Sequence, residues 1–176
     1  MDTQTSATLW RGRFLEIREA AGRWEYAART RNVDVVMIFA LAPGRKMLIV
    51  EEFRPPLGQI TISAPAGLCG DQDNEEPETA ARRELLEETG YAAETMRFLF
   101  RGPSSPGLTS ETVNFFLAGD LHRIGKGGGI DNEHIAVREI PLDGLDAWLE
   151  RQMQTGKAVD PRIYTGVHFL AKPQRQ

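Results

Sequence analysis

A single acidic helix stands out in the middle of this sequence. Residues Pro77–Thr89 are rich in Ala, Leu, Glu and Arg, begin at a proline and are followed by Gly90. Proline in the first turn and glycine just past the last residue are typical of helix ends. On such a helix Glu84 and Glu88 lie four residues apart and share a face, and Glu87 lies beside that face.

These carboxylates repel one another, at a cost of roughly a few tenths of a kcal/mol for each like-charged pair. Two interpretations are open. Arg82 and Arg83 can offset the repulsion, which makes the segment an ordinary solvated helix face. Alternatively, the carboxylates gather around a hard divalent cation such as Mg²⁺, which takes oxygen ligands from carboxylates, phosphates and water. Ala81 and Leu85 point elsewhere and are expected in a core.

Strand patterns precede and follow the helix, and two helical patterns close the chain. This order favours an α+β fold with a mixed sheet. Trp10 and Trp148 are expected to pack, and of Phe115 and Phe116 one is expected in the core and the other at the site or an interface. The predicted strands are Thr8–Arg18, Trp24–Thr30, Val33–Ala42, Met47–Phe53, Ile60–Ser63, Met96–Phe100, Thr112–Ala118 and Ile135–Ile140, and the closing helices are Leu142–Gln154 and Pro161–Ala171.

Composition excludes several classes of protein. An apolar fraction of 41% and a charged fraction of 26% over 176 residues are typical of one globular domain. The net charge of −4 differs from the positive net charge that is typical of a general nucleic-acid binder. The single Cys69 leaves no intrachain disulfide, and no apolar run approaches the roughly 18 residues of a spanning helix. We expect a cytoplasmic protein without nucleic-acid or membrane partners.

The string from Glu75 onward closely resembles the box motif of the Nudix family. Seven residues separate Glu75 from Arg83-Glu84-Leu85-Leu86-Glu87-Glu88-Thr89-Gly90-Tyr91, and every position of the motif matches over this stretch. One departure lies before it. The opening glycine of the motif matches Gly67, and the segment from Gly67 to Glu75 carries two extra residues. We expect a loop insertion before the helix.

The resemblance implies the Nudix fold, a mixed β-sheet sandwiched between helices, with N-terminal antiparallel strands. It also implies a hydrolase that uses Mg²⁺, which Mn²⁺ can replace. Glu84 and Glu88 would be the main metal ligands, with Glu87 as a further ligand or its close support. The carbonyl of Ala66 would complete the metal shell.

Two further residues of the motif have supporting roles by this resemblance. Arg83 would hold a glutamate in place through an ion pair. For Glu75 two interpretations stay open. It either supports the metal ligands from outside, or it is a carboxylate favoured near the helix N-terminus by the helix dipole.

Flanking segments resemble the ADP-ribose and ADP-sugar pyrophosphatase branch of the family. They imply hydrolysis of the pyrophosphate bond of nucleoside diphosphate sugars, ADP-ribose foremost. A loop similar to that of GDP-mannose hydrolases keeps GDP-mannose or a broad range of nucleotide sugars as the alternative. A non-catalytic nucleotide-sugar sensor is disfavoured because the motif keeps its carboxylates. The branch segments are Phe53–Gly58, Ala64–Gly67, Ser105–Thr109 and Val159–Tyr164, and the other loop is Gly127–Glu133.

Several residues of these segments are candidates for substrate binding. Arg54 is expected to clamp phosphate, because a guanidinium binds two phosphate oxygens at once. Ser105 and Gly107 belong to the branch's loop after the box and are expected to contact substrate.

The branch also takes a base or further metal ligand from a loop before its next-to-last strand. That loop offers Asp131 and Glu133, and alignment on the following strand favours Glu133. The run of glycines at Gly127–Gly129 is expected to let the loop close over substrate.

The N-terminal strands are expected to serve a second subunit. By the resemblance Trp24 stacks on the nucleobase, often across a dimer interface, and Arg29 contacts substrate. Strand packing is the alternative role for Trp24. We therefore divide the chain into a β-hairpin region, residues 1–32, that mediates homodimerisation, and a hydrolase domain, residues 33–176.

Overall fold

A computed structural model describes residues 6–31, 33–70, 75–130 and 134–172 of the chain. Within these residues, strands come first, one central helix and more strands follow, and two helices close the chain. The strands are β1 (Ala7–Arg11), β2 (Leu15–Ala20), β3 (Trp24–Arg29), β4 (Val35–Ala42), β5 (Lys46–Arg54), β6 (Gln59–Ser63), β7 (Ala66–Leu68), β8 (Tyr91–Pro103), β9 (Thr112–Arg123), β10 (Ala136–Pro141) and β11 (Ala158–Val159). The helices are α1 (Pro77–Thr89), α2 (Leu145–Gln154) and α3 (Arg162–Leu170).

The larger sheet is mixed and has β4 near its middle. Its strand order is β11-β6-β5-β4-β9-β8, with β7 paired to β4 and β10 paired to β5. β4 runs parallel to β9 and β11 runs parallel to β6, whereas β5 and β8 each pair antiparallel to their neighbours. The predicted α+β class with a mixed sheet is confirmed.

Alternation along β4 divides the core into two layers. Val36 and Ile38 pack in a layer with Leu85 of α1, whereas Met37 and Phe39 pack in a layer with residues of α2 and α3. This follows because successive side chains of a strand point to opposite faces of its sheet. The sheet is therefore sandwiched between α1 and the α2–α3 pair.

Two phenylalanines of β9 correct the sequence prediction. Phe115 is 4% exposed and lies in the α2–α3 layer, and Phe116 is 2% exposed and lies in the α1 layer. The prediction that one of them faces the site or an interface is wrong. Helix α1 packs on one face of the sheet and α2 and α3 pack on the other, so side chains on both faces of β9 are covered.

The N-terminal strands β1–β3 form a separate antiparallel sheet. The prediction of one continuous strand over Thr8–Arg18 is wrong, because the N–H of Gly12 donates to the carbonyl of Leu15 (2.8 Å) and the chain reverses there. Trp10, expected to pack, is 59% exposed. Trp148 packs against the α2–α3 layer, as predicted.

The loop between β8 and β9 joins this small sheet to the rest of the molecule. The N–H of Ala27 donates to the carbonyl of Leu108 (2.8 Å), and the N–H of Ser110 donates to the carbonyl of Ala27 (3.1 Å). These bonds bring Arg29, the last residue of β3, beside Glu111. Among the described residues, no helix has the length and apolar character needed to cross a lipid bilayer.

Candidate active site

Helix α1 places two glutamates in one wall of a cleft. The helix begins after Glu76 with a proline in its first turn and ends at Gly90, which adopts a left-handed φ of 76°. Leu85 is fully buried on the sheet side. Glu84 and Glu88, four residues apart, lie on the side that faces β7 and are only 8% and 5% exposed. The helix bounds and the shared face agree with the sequence prediction.

Strand β7 approaches these carboxylates closely. The backbone N–H of Ala66 donates to Oε2 of Glu88 (3.0 Å). A Cβ atom on Gly67 would lie 2.0 Å from Cδ of Glu84, so with any other residue here this carboxylate would have to move. The glycine that opens the motif therefore leaves space for the carboxylate where it lies, despite the two extra residues that follow it.

Arg83 forms hydrogen bonds with three glutamates on and just before α1. It donates to Oε1 of Glu75 (3.0 Å), to Oε1 of Glu84 (2.8 Å) and to Oε2 of Glu87 (3.0 Å). Its hydrogen bond to Glu75 is the main reason that the pKa of Arg83 is raised, and the same bond lowers the pKa of Glu75. Glu75 therefore holds Arg83, which in turn contacts Glu84 and Glu87.

The cleft beside α1 has a volume of about 480 Å³. Arg29 and Arg54 also line it, each paired with a glutamate of the lining: Arg29 Nε to Glu111 Oε2 (2.9 Å) and Arg54 Nη2 to Glu52 Oε2 (2.9 Å). The described lining holds more carboxylates than arginines. Its residues are Arg29, Val35, Glu52, Arg54, Ala66, Gly67, Leu68, Glu84, Glu88, Glu111 and Arg162.

This donor set suits a hard divalent cation. Glu84 and Glu88 are nearly buried, and burial of a carboxylate is costly without positive charge nearby. In the described parts of the chain, no group of three or more acidic, histidine or cysteine side chains is arranged to hold a metal ion. Mg²⁺ does not require one, because it usually binds through one or two carboxylates and completes its shell with phosphate oxygens and water.

The structure leaves other predicted residues away from the cleft. Trp24 begins β3, five residues before Arg29, which at about 3.3 Å per residue places it roughly 16 Å along the strand. Trp24 is 60% exposed. Ser105 does not line the cleft either; its carbonyl accepts from the N–H groups of Leu108 and Thr109 (both 3.0 Å) in a turn that includes Gly107. Asp131 and Glu133 lie outside the described residues.

The glycine-rich loop is attached to the end of α1. The N–H of Gly128 donates to the carbonyl of Glu88 (2.7 Å), and the N–H of Gly129 donates to the carbonyl of Glu87 (3.1 Å). A Cβ on Gly127 would lie 2.4 Å from backbone carbon of Thr89. All three glycines adopt left-handed φ values, between 68° and 110°, which favour glycine, and Gly127 also needs its missing side chain for the close contact with Thr89. That these glycines let the loop close over substrate stays a prediction.

Glu111 and Arg162 are among the cleft residues that were not selected as candidates from the sequence. Glu111 follows the Ser105–Thr109 loop and is the partner of Arg29. Arg162 begins α3, where Asp160 holds its guanidinium (Nε to Oδ1, 2.9 Å). Their positions in the sequence could have identified them, because Arg162 lies within a segment that resembles the ADP-sugar branch and Glu111 lies just after another such segment.

Comparisons with known proteins agree with this geometry. The NUDIX domain model matches residues 30–161. The chain is 32% identical to a methanol dehydrogenase activator of Bacillus methanolicus over 131 residues, which cover 73% of this chain and 70% of that protein. It is 43% identical to a GDP-mannose pyrophosphatase of Klebsiella pneumoniae over 101 residues, 56% of this chain and half the length of that protein. A crystal structure of an ADP compounds hydrolase has the same fold, with a TM-score of 0.72 and 22% identity over 97% of this chain and 93% of that one.

Proposed function

This chain belongs to the Nudix family of hydrolases, and we propose that it uses Mg²⁺ to hydrolyse the pyrophosphate bond of nucleoside diphosphate sugars. ADP-ribose is the favoured substrate, and a nucleoside monophosphate and a sugar phosphate are the products. One observation carries the proposal: the nearly buried carboxylates of Glu84 and Glu88 line a cleft whose lining also includes arginines.

The arginines suit a diphosphate. Negative charge on both phosphates repels a nucleophile until it is neutralised. Arg54 and Arg162 can each present paired N–H groups to phosphate oxygens. Before substrate binds, Glu52 and Asp160 hold these two guanidinium groups, which limits the side-chain entropy lost on binding.

Glu84, Glu88 and the carbonyl of Ala66 would hold the cation, either Mg²⁺ or Mn²⁺. When bound, the cation neutralises phosphate charge and lowers the pKa of water. Arg83 orients Glu84 and Glu87, so that the carboxylates do not have to reorganise during the reaction.

A proton acceptor is needed on the side of the diphosphate opposite α1. The α1 carboxylates all project from one helix and cannot also reach that side. We assign this role to Glu133, by alignment with the family loop, and a lesser role to Asp131.

The choice of substrate rests on resemblance. The segments Phe53–Gly58 and Val159–Tyr164 support ADP-ribose. A relative named GDP-mannose pyrophosphatase supports GDP-mannose as the second candidate, as does the loop Gly127–Glu133.

A homodimer completes the proposal. Large apolar side chains are exposed on the N-terminal sheet and on the loop that joins it to the domain, which supports burial against a second copy. Trp24 would then stack on the base bound by the partner subunit, because its own cleft lies too far along β3. The exposed side chains are Leu9, Trp10, Phe14, Trp24 and Leu108, all at least 50% exposed. Sedimentation equilibrium tests the dimer, and a monomer at micromolar concentration contradicts it.

A substrate panel tests the activity. Purified protein is incubated with ADP-ribose, GDP-mannose, other nucleotide sugars and nucleoside triphosphates, in Mg²⁺ and in Mn²⁺, and the products are separated by chromatography. One turnover in ¹⁸O water locates the label on the nucleotide or on the sugar phosphate. The proposal expects the highest kcat/KM for ADP-ribose and loss of activity on chelation. Preference for triphosphates, or activity that survives chelation, would overturn it.

A further inference from the structure

The last turn of α1 carries two of the candidate metal-binding residues, and a distant segment caps it. The final carbonyl groups of an α-helix have no partner within the helix and need N–H donors from elsewhere. Here the N–H of Gly128 donates to the carbonyl of Glu88 (2.7 Å), and the N–H of Gly129 donates to the carbonyl of Glu87 (3.1 Å). Residues 124–129, which follow β9, are therefore called the capping segment.

The capping segment and the end of α1 meet backbone to backbone. The carbonyl of Gly90 accepts from the N–H groups of Ile124 (2.9 Å) and Gly125 (3.0 Å). A Cβ atom on Gly90 would lie 2.3 Å from the carbonyl oxygen of Gly125, and one on Gly127 would lie 2.6 Å from that of Glu88. Because backbone atoms touch on both sides, the capping segment cannot move toward α1 without displacing the end of the helix.

Arg123, the last residue of β9, holds the start of the capping segment. Its Nε donates to the carbonyl of Gly125 and its Nη2 donates to the carbonyl of Lys126, both at 3.2 Å. A guanidinium group presents several N–H donors in one rigid plane, whereas the ammonium group of lysine is a point charge on a flexible chain. Arg123 thus fixes two successive peptide groups directly before Gly127.

Two side chains from other strands hold the guanidinium group of Arg123. Oε1 of Glu139, on β10, lies 3.8 Å from Nη1 of Arg123, and the ring of Tyr91, opposite Arg123 on β8, lies 5.7 Å from the guanidinium carbon. Tyr91 is 5% exposed and donates its hydroxyl to Oε1 of Glu139 (2.6 Å). This hydrogen bond is the main reason that the pKa of Glu139 is lowered, so Glu139 stays ionised beside Arg123.

We infer that Arg123, held by Glu139 and Tyr91, is a positioning residue for metal binding, because it keeps the capping segment on the last turn of α1. The inference rests on the proposed function and deepens it, since it takes Glu88 as a metal ligand and Glu87 as a further ligand or its support. The described lining of the cleft includes none of the three positioning side chains, so they act through the backbone. A turn that is already held in place loses less conformational entropy when its carboxylates bind an ion, so metal affinity depends on the cap.

Mn²⁺ is the probe, because electron paramagnetic resonance measures its binding to the protein without substrate. Arg123→Gln removes the paired hydrogen bonds to the capping segment, and we expect it to raise the Kd for Mn²⁺ by about 3- to 10-fold. The carboxylates are intact, so in saturating Mg²⁺ the variant should keep kcat for ADP-ribose within about twofold of the wild type. Arg123→Lys should recover only part of the lost affinity, because it lacks the planar set of donors.

Arg138→Gln is the matched control. The side chains of Arg138 and Arg123 are 50% and 53% exposed, and each pairs with a glutamate. Within the described residues, Arg138 donates to Glu51 of β5 (3.1 Å) and not to the capping segment. A purely structural role for Arg123 would lower Tm in both variants and leave the Kd for Mn²⁺ unchanged in both, which would overturn the inference. The inference expects the Kd to rise in Arg123→Gln alone.

Tyr91→Phe tests whether the tyrosine acts through Arg123. The variant removes the hydroxyl that reaches Glu139 and keeps the ring beside the guanidinium group, so it should raise the Kd for Mn²⁺ by about 2- to 3-fold. The double variant Tyr91→Phe/Arg123→Gln should bind Mn²⁺ as Arg123→Gln alone does, because groups that act in series are not additive. Effects that multiply in the double variant would overturn the role of Tyr91 in holding Arg123.

The same proteins are assayed for hydrolysis of ADP-ribose, which separates the two proposals. Weaker Mn²⁺ binding in Arg123→Gln, without turnover of any nucleotide sugar by the wild type, would contradict the proposed function and support the positioning role. Metal-dependent turnover would support the proposed function. If it occurs with an unchanged Kd for Mn²⁺ in Arg123→Gln, or with no Mn²⁺ binding to the wild type at millimolar concentration, the positioning role alone is overturned.

Discussion

The α1 side of the cleft and the N-terminal sheet differ in which side chains they bury. Charged side chains are buried beside α1, whereas apolar side chains are exposed on the N-terminal sheet. Beside α1 the charged groups are nearly buried and are held by named partners, as Glu88 is by Ala66 and Glu84 is by Arg83. On the N-terminal sheet apolar rings are exposed, and Trp24 is 60% accessible. Buried charge requires partners within the chain, because leaving it unpaired costs several kcal/mol. An exposed aromatic ring does not require a partner within the same chain, so the fold of one chain does not specify what the ring contacts.

The largest effect is expected from Glu88→Gln, on the α1 side. The amide can still accept the N–H of Ala66 but cannot contribute negative charge to a cation. We expect kcat to fall by about 10³-fold with KM little changed, since a loss of about 4 kcal/mol in the transition state corresponds to that factor. Steady-state kinetics in saturating Mg²⁺ measure it.

The matched control is Glu78→Gln on the same helix. Glu78 pairs with Arg82, does not line the cleft, and should leave kcat within twofold of the wild type. If Glu88→Gln turns over substrate at the rate of this control, Glu88 is not a metal ligand. The proposed functional difference between the α1 side and the N-terminal sheet would then lose its support.

The loop acids give the next largest effect. General-base help is typically worth about 10²–10⁴ in rate, so Glu133→Gln should lower kcat by about 100-fold or more, and Asp131→Asn should lower it less. The same kinetic assay compares them. The reverse order would mean that the loop alignment is wrong by two residues. Full activity in both variants would place the base elsewhere.

Substitution of Gly127 tests whether the loop is held against α1. Gly127→Ala should lower the free energy of unfolding by about 2–4 kcal/mol, because its Cβ would meet the backbone of Thr89 and its φ is positive. Gly156→Ala has a similar φ of 84° with open space around it, and should cost only about 1 kcal/mol. Urea denaturation measures both. Equal losses would show that the contact with α1 adds nothing.

The smallest effect is expected on the N-terminal sheet. Trp24→Ala should raise KM for ADP-ribose by about tenfold and leave kcat nearly unchanged, because base stacking is worth about 1–3 kcal/mol and is remote from the reacting bond. Trp10→Ala, an exposed tryptophan of the same sheet, is the control. Unchanged KM with a lower Tm would assign Trp24 to packing.

The spacing of residues within one segment was sufficient to predict helix α1 and its acidic face from the sequence. Proline at the start, glycine at the end and glutamates four residues apart depend only on helix geometry, and the structure has the helix over the predicted residues Pro77–Thr89. The α+β class with a mixed sheet followed from the order of strand and helix patterns along the chain, whereas the placement of the sheet between helices was expected only from the resemblance to the Nudix family. These features are determined within one element and its immediate neighbours along the chain.

Tertiary structure alone decided what distant segments do to one another. Glu111 meets Arg29 across 82 positions of sequence, and the glycines after β9 close onto the end of α1. Phe115 and Phe116 are both buried because helices pack on both faces of the sheet that contains β9. β11 pairs in parallel with β6, which no local pattern specifies. Each of these contacts depends on loop closure and on strand order. The free energies of both are set by the whole fold, so the spacing of residues within one helix or strand does not predict them.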